Sequence, residues 1–261
     1  MGIFQNNLLA GAGGQAGGGA AAFYDYQIEQ SARFDKASSS YLGLSSGSGN
    51  NNYWTYSFWF KTAALPSGQQ TFLTAGDGGT GNSDSLIRIN LLDVGNGAKI
   101  RVNSGQANIA DSSGLFRDPS AWTHIVWSNN NASVLVYANG TQISSGTMDG
   151  GTGAAINSSN QHYIGRGRTG TGSNDLDGYM AEIMMISGSG SSAVLTPTSF
   201  GETKNGVWIP KDISGLSNQD FYLKFENASD LGNDSSGNNR DWTVTNMGAD
   251  HQVLDSPTFG S

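Results

Sequence analysis

The acidic residues of this 261-residue chain are spaced unfavourably for acid–base catalysis. Glycoside hydrolysis requires two carboxylates about 5 to 9 Å apart, commonly as alternate residues of one strand. The glutamates Glu29, Glu182, Glu202 and Glu226 are each isolated from a second acid in sequence and in strand phase. Asp177 is close to Glu182, but their odd separation would place them on opposite faces of one continuous strand. We therefore predict that the protein is not an enzyme.

Histidine, serine, glycine and cysteine patterns indicate no other reaction. His124, His162 and His251 lack the spacing of metal ligands, and His124 is in phase with packed strand residues. The Gly- and Ser-rich stretch near Gly188 has no helix after it, so it cannot form the elbow of a serine hydrolase. The G-x-G-x-x-G match at 165–170 is followed by another loop instead of a phosphate-binding helix. The chain has no cysteine, which excludes disulfides and thiolate zinc sites.

Oxygen-bearing side chains crowd two loops, which makes calcium a candidate ligand. One loop is GDGGTGNSD, with Asp77, Asn82 and Asp84, and the other is SDLGNDSSGNNRDW. Calcium prefers such hard oxygen ligands, but the spacing is not that of an EF-hand, and Asx turns use the same residue types. Both alternatives stay open. The candidate calcium ligands are Asp230, Asp234, Asn238 and Asp241.

Sugar binding requires an aromatic ring that covers the apolar face of a sugar while polar groups bind its hydroxyls. Trp59 is out of phase with the core face of its strand, and Trp127 alternates against the expected core face of another strand. Both rings could equally pack under a loop or a subunit contact. Arg166 and Arg168 lie in a glycine-rich loop, where they could contact an acidic sugar or a neighbouring subunit's carboxylate. These four residues are the carbohydrate-binding candidates.

Composition and charge exclude several classes of protein. The net charge is −8, from 13 basic and 21 acidic residues, and no run of Lys or Arg occurs, which argues against a nucleic-acid groove. No window approaches the ~18 apolar residues of a membrane helix, and the N-terminus lacks the basic region of a signal peptide. The 38 glycines show no collagen period. Aromatic residues at 10% allow a packed core, so most of the glycines are expected in turns.

These side chains must be positioned by strands, because no stretch shows a helical period. In Trp54 to Lys61 the aromatic residues Trp54, Tyr56, Phe58 and Phe60 alternate with residues of the other face. Similar short runs recur along the chain, separated by Gly, Asn, Ser and Asp clusters. Asn139-Gly140 predicts a two-residue type I′ hairpin turn. Many closely spaced strands without βαβ alternation predict an all-β, two-sheet antiparallel sandwich or jelly roll.

Three segments, in order, resemble the laminin G-like, concanavalin A-like jelly roll. The first is SARFDKASSSYLGL followed by YWTYSFWFKTA, and the second is the hairpin AWTHIVWSNNNASVLVYANGTQIS. The third pairs HYIGRG with LDGYMAEIMMIS. The resemblance spans roughly residues 30 to 187. It implies a two-sheet sandwich whose concave face or edge loops often bind carbohydrate.

The C-terminal part, from FGETKNGVWIPKDISG to DSPT, resembles a segment common in tailed-phage virion proteins of the tail-fibre and adsorption type. The resemblance implies a structural protein on the surface of a phage particle, with adsorption to a host glycan. A tail fibre or tail appendage is the first expectation. Capsid decoration or a head fibre is one alternative, and a lectin-like carbohydrate-binding module is another.

We divide the chain into three parts. Residues 1–30 form a glycine- and alanine-rich extended arm for anchoring or oligomerisation, and residues 31–200 form the jelly roll. Residues 201–261 provide strands that pack on the jelly roll or on a neighbouring subunit. The expected partners are other virion proteins, bound through the arm, and a host surface glycan. Fibre proteins of this type are usually trimers, so a homotrimer is expected.

Overall fold

The computed structural model describes residues 23–45, 49–76, 86–105, 107–148, 155–167 and 174–259. The predicted anchoring segment at residues 1–22 lies outside them, and its role stays a prediction. Within the described part of the chain, no helix is long and apolar enough to cross a membrane. The strands are β1 (Ser31–Phe34), β2 (Tyr41–Leu44), β3 (Tyr53–Thr62), β4 (Gln69–Ala75), β5 (Ile87–Asp93), β6 (Ala98–Ser104), β7 (Ala107–Asp111), β8 (Thr123–Asn130), β9 (Ser133–Ala138), β10 (Thr141–Thr147), β11 (His162–Ile164), β12 (Gly178–Ser187), β13 (Gly201–Lys204), β14 (Val207–Pro210), β15 (Gln219–Leu223), β16 (Thr243–Thr245) and β17 (Gln252–Val253).

Two antiparallel sheets contain nearly all of these strands. The first sheet has the order β10-β9-β8-β3-β12-β1-β17, and β15 also pairs with β12. The second sheet has the order β16-β2-β11-β4-β5-β6-β7, and β13 and β14 form a separate hairpin. Every pairing among them is antiparallel. The predicted two-sheet antiparallel sandwich is therefore confirmed.

Aromatic side chains fill the core between the two sheets. The alternating residues Trp54, Tyr56 and Phe58 of β3 are fully buried there, as their period of two predicts. The ring of Trp54 meets Trp127 edge-on at a centroid distance of 4.6 Å, and Phe58 contacts Phe72 of the second sheet at 5.0 Å. Aromatic pairs at these distances stabilise a core beyond their area burial.

The outer face of the first sheet is covered by two smaller apolar clusters. In one, Ile28 packs with Trp59 and Ala181, and Trp208 joins them from the β13–β14 hairpin. The other contains Val126, Met184, Ile186, Ala193, Phe200, Ile213 and Tyr222. The central strands of the first sheet are thus buried on both faces by residues 23–30 and 191–216. A strand buried on both faces has no face turned to solvent, so its outward residues need not be exposed polar ones.

The C-terminal region adds strands to both sheets. β15 pairs with β12 and β17 with β1 in the first sheet, whereas β16 pairs with β2 in the second. Phe221 and Leu223 of β15 face the central core, where Trp242 meets Phe221 edge-on at 5.0 Å.

The β9–β10 hairpin turns at Asn139-Gly140, which have φ angles of 46° and 80°. These positive values at both positions confirm the predicted type I′ turn. Gly140 is also required by packing, because a Cβ there would lie 2.4 Å from the ring of Trp208.

Candidate functional site

A row of polar and aromatic residues crosses the outer face of the second sheet. In β2, Leu42 and Leu44 face the core, so Tyr41 and Gly43 face outward. Residues paired directly across an antiparallel sheet share a face. The strand register therefore builds one outer row from Thr243, Gly43, Tyr163, Thr74, Arg88, Asn103 and Asn108.

Tyr41, Tyr163 and Arg166 form an aromatic–arginine cluster at one end of this row. The two tyrosine rings meet edge-on at 5.6 Å, and the guanidinium of Arg166 lies 4.3 Å from the Tyr41 ring and 5.7 Å from the Tyr163 ring. Gly43 borders the cluster, since a Cβ there would be in ordinary contact with the Tyr163 ring at 3.7 Å. Burial raises the pKa of Tyr163, and the charge of Arg166 opposes that shift. The cluster combines apolar ring surface with a planar set of hydrogen-bond donors.

A ladder of side-chain hydrogen bonds occupies the other end of the row. The Thr71 hydroxyl donates to Asn90 Oδ1 at 2.9 Å, and Asn90 Nδ2 donates to Asn103 Oδ1 at 2.8 Å. Arg88 Nε donates to the same oxygen at 3.2 Å, while Asn103 Nδ2 donates to Asn108 Oδ1 at 2.5 Å. Asn90 and Asn103 are buried, so these bonds satisfy amides that would otherwise be costly to enclose.

The segment between β11 and β12 holds Arg166 in place by its backbone. The hydroxyl of Thr74 donates to the carbonyl of Gly167 at 2.6 Å, and the backbone N–H of Thr71 donates to the carbonyl of Asn174 at 2.9 Å. Burial raises the pKa of the nearby Asp175, although the Gly167 N–H and the charge of Arg166 act in the opposite direction. The described ends of this segment are therefore tied to β4.

Two predicted sugar-binding residues are covered in the structure. Trp127 is fully buried in the central core, so the phase expected for β8 was inverted. Trp59 does face away from the central core, but the residues of the outer cluster bury it, and its ring stacks on His124 at 4.8 Å. Neither ring presents a free face to a sugar. Arg166 belongs to the aromatic–arginine cluster, and Arg168 lies outside the described residues.

The side chains of the predicted calcium ligands are used in hydrogen bonds within the protein. Asp234 accepts from the backbone N–H groups of Tyr222, Ser236 and Arg240 at 2.9 Å each. Asp230 accepts from the backbone N–H of Gly232, and Asp241 accepts from that of Asp234. Asn238 instead donates from its side-chain amide to the carbonyl of Gln219. Among the described residues, no group of three His, Cys, Asp or Glu side chains is arranged to hold a metal ion. The Asx-turn alternative accounts for these residues, and the 77–84 set lies outside the described ranges.

His124 and Ser57 lie together in a pattern that superficially suggests a nucleophile and its base. Their Nε2 and Oγ atoms are 2.8 Å apart, and both side chains are buried. Trp208 donates its indole N–H to Nδ1 of His124 at 3.1 Å. An indole nitrogen can only donate, so the neutral imidazole carries its proton on Nε2 and donates to Ser57. A serine nucleophile needs the opposite tautomer, with a lone pair facing its hydroxyl.

Glu182 is the most unusual carboxylate in the structure. The pairing of β12 with β3 skips from Ala181 to Met184, and in this bulge Glu182 has a φ of 48°. Its Oε1 accepts hydrogen bonds from Tyr26 at 2.6 Å and from Tyr222 at 2.9 Å. Burial raises the pKa of Glu182 to about 7, and the two tyrosine hydroxyls lower it by less.

Tyr41 and Tyr163 were not among the sequence-based candidates. Each is followed directly by a core residue, Tyr41 by Leu42 and Tyr163 by Ile164. Because neighbouring residues of a strand face opposite sides, strand phase alone points both tyrosines outward. That signal was available in the sequence. Their proximity was not, because β2 and β11 are far apart along the chain.

Known proteins resemble this chain in fold. No curated protein matches the sequence. A solved structure from Bacteroides ovatus, of a protein to which carbohydrate binding is attributed, is 16% identical with a TM-score of 0.58. That match covers 89% of this chain and 62% of the other, so this chain spans less than two thirds of that protein.

Two further structures are similar at lower scores. Domain 4 of AbnA, an extracellular arabinanase from Geobacillus stearothermophilus, solved with arabinotriose, is 22% identical over 69% of this chain and 82% of its own, with a TM-score of 0.47. A pentraxin from Limulus polyphemus is 12% identical over 65% and 81%, with a TM-score of 0.48. A family model matches residues 36–194, which is more than half of the chain. The protein therefore belongs to the concanavalin A-like lectin/glucanases superfamily.

Proposed function

We propose that this protein is a carbohydrate-binding domain without enzymatic activity, and that its glycan binds at the aromatic–arginine cluster of the second sheet. The observation that carries the proposal is the placement of Arg166 over the rings of Tyr41 and Tyr163 on an outer sheet face. Tyr163 is only 7% exposed and supports the cluster from below, so the half-buried Tyr41 supplies the ring for the apolar C–H groups of a sugar, and the guanidinium of Arg166 donates to the sugar hydroxyls. The attribution of carbohydrate binding to the Bacteroides ovatus protein of similar fold supports this class of function.

The absence of enzymatic activity is supported by the groups that come closest to a catalytic arrangement. The N–H of Trp208 fixes His124 in the tautomer that cannot accept a proton from Ser57. Glu182 accepts hydrogen bonds from two tyrosines beneath residues 23–30, where a polysaccharide chain has no access to it.

A glycan array followed by calorimetry tests the binding proposal. We expect the intact protein to bind at least one glycan class, and Tyr41→Ala and Arg166→Ala each to weaken binding about tenfold or more, equivalent to about 1.4 kcal/mol. Tyr24→Ala is the matched control, because Tyr24 is a partly exposed tyrosine in the segment that covers the first sheet. A blank array, or equal losses in all three variants, would contradict the proposal.

We also propose that the domain is displayed on the surface of a phage particle, as part of a tail fibre or tail appendage. The observation in favour is the C-terminal FGETKNGVWIPKDISG segment, whose resemblance is to phage adsorption proteins. Capsid decoration or a head fibre remains the alternative position. Mass spectrometry of purified particles tests the location, and light scattering of the purified protein tests the expected homotrimer. A monomer that is missing from particles would refute this placement.

A further inference from the structure

Residues 23–30, which we call the strap, cross the outer face of the first sheet without joining it as a strand. Ile28 donates its N–H to the hydroxyl of Thr258 at 2.9 Å, and that hydroxyl also lies 3.1 Å from the Ile28 carbonyl. Asp25 forms an ion pair with Lys204 at 3.1 Å. β1 begins only at Ser31, so side-chain contacts hold much of the strap. A segment held in this way opens locally at lower free energy than the strands beneath it.

The strap also makes a polar contact with Glu182. Tyr26 donates to Glu182 Oε1 at 2.6 Å, and the Tyr26 and Tyr222 hydroxyls are 3.3 Å apart. The bulge with its positive φ is what places this carboxyl under the strap, where it is 3% exposed. A cavity of about 70 Å³ lies beside it, lined by strap residues and by β15. The strap therefore forms one wall of this cavity, and its departure would widen the path from solvent to Glu182.

We propose that the strap is a proton-controlled latch, which closes over Glu182 while that carboxyl is protonated and is released as the carboxyl ionises. The geometry behind it is that Glu182 is buried beneath the strap, accepts a hydrogen bond from Tyr26 of the strap and borders the cavity that strap residues line. An ionised carboxylate is costly to bury, and solvent removes that cost.

The charged and titratable groups around Glu182 do not cancel this effect. The hydrogen bonds from Tyr26 and Tyr222 and the charge of Lys224 favour the ionised carboxylate, and Asp212 disfavours it, but burial is the dominant influence and raises the pKa of Glu182. Lys224 is itself paired with Glu226. The groups that face Glu182 are Tyr26 and Glu29 of the strap, Tyr222, Lys224 and Glu226 in and after β15, and Asp212 in the segment after β14.

The size of the response follows from proton linkage. Burial raises the pKa of Glu182 from 4.5 to about 7 in the closed structure. If opening restores the ordinary value, the proton binds more tightly to the closed state throughout this interval. The equilibrium constant for opening then rises up to about 70-fold between about pH 5 and about pH 8. Opening also uncovers Trp59 and Ala181, against which Ile28 packs.

Hydrogen exchange of the Ile28 amide in the full chain measures this opening. Its protection factor, corrected for the intrinsic exchange rate, should fall up to about 70-fold from about pH 5 to about pH 8. Glu182→Gln should abolish the pH dependence, whereas Glu226→Gln, a matched glutamate beside the same cavity, should retain it. Amides of β3 should show no such change. Equal pH dependence in wild type and Glu182→Gln, or none in wild type, would overturn the proposal.

A second measurement needs no variant at Glu182. The carboxyl carbon of Glu182 in the wild-type protein can be titrated by ¹³C NMR while exchange at Ile28 is followed. We expect the two curves to share a midpoint near pH 7. An ordinary carboxyl midpoint for Glu182, or exchange that changes in another pH interval, would refute the latch.

Discussion

Replacing Trp208 with phenylalanine tests the hydrogen-bond arrangement that keeps His124 from acting as a base. The Trp208 N–H donates to His124 Nδ1 at 3.1 Å, and the two rings stack at 6.1 Å with an interplanar angle of 18°. Phenylalanine keeps an aromatic ring beside the imidazole but removes the donor. Because His124 is 1% exposed, water does not replace the lost partner.

The expected cost follows from that burial. A buried nitrogen without a partner costs about 1–3 kcal/mol, and the smaller ring adds about 1 kcal/mol of lost packing. Protonation does not relieve the cost, because burial lowers the pKa of His124 to about 3. We therefore expect the free energy of unfolding of Trp208→Phe to fall by about 2–4 kcal/mol at neutral pH.

Urea denaturation followed by far-UV circular dichroism measures this difference without relying on tryptophan fluorescence. Val207→Ala is the matched control, because Val207 is in the same hairpin and 48% exposed, and its change should stay within about 0.5 kcal/mol. Imidazole ¹⁵N NMR of the wild-type protein should show the proton of His124 on Nε2. A loss in Trp208→Phe no larger than in Val207→Ala, or a proton on Nδ1, would refute the reasoning and reopen Ser57 as a nucleophile.

Three further perturbations have outcomes that the structure specifies. Gly165→Ala should lower the free energy of unfolding by about 3 kcal/mol or more, because φ is 80° there and a Cβ would lie 2.3 Å from a core phenylalanine ring. Gly190 has a φ of 86° but open space around it, so Gly190→Ala should lower it by only about 1 kcal/mol. Similar losses in the two variants would contradict this prediction. Burial lowers the pKa of His162 from 6.5 to about 4, so the unfolded chain binds a proton at higher pH than the folded one. The free energy of unfolding, measured by denaturation, should therefore fall by up to about 3 kcal/mol as the pH falls through this interval. The fall should be smaller in His162→Gln. Asp234→Ala should lower the free energy of unfolding by about 2–4 kcal/mol, because three backbone N–H groups lose their acceptor. Neither a chelator nor added calcium should change the Tm of the wild-type protein. A Tm that depends on calcium, and loses that dependence in this variant, would instead support a calcium site.

Strand alternation predicted the core side of β3 correctly and that of β8 incorrectly, for one physical reason. Both strands lie in the first sheet, whose outer face is covered. Trp54, Tyr56 and Phe58 are bulky on one face of β3, which made its phase readable. In β8, Val126 packs in the outer cluster and Trp127 in the central core, so each face carries a buried apolar residue. Because both faces of the strand are buried, the period of two does not tell which face lies in the central core.

The candidate site was less accessible from the sequence than the fold. The outward phase of Tyr41 and Tyr163 is local information, since each is flanked by a core residue. The cluster also requires the pairing of β2 with β11 and the placement of Arg166 by the segment that follows. Pairing between strands distant in sequence depends on the whole topology, which local propensity and periodicity do not encode.

Hydrogen-bond capacity decides which part of the outer row can bind a ligand. Asn103 accepts from Arg88 and Asn90 and donates to Asn108 and to the carbonyl of Ala107, which uses all four positions of its amide. A sugar hydroxyl could bind there only by displacing a bond already made, with little net gain. The ladder therefore orients the face instead of recognising a ligand. The glycan binding that we propose would use the other end of the row, where the described residues hold Arg166 through ring contacts and give its Nε atom no hydrogen-bond acceptor.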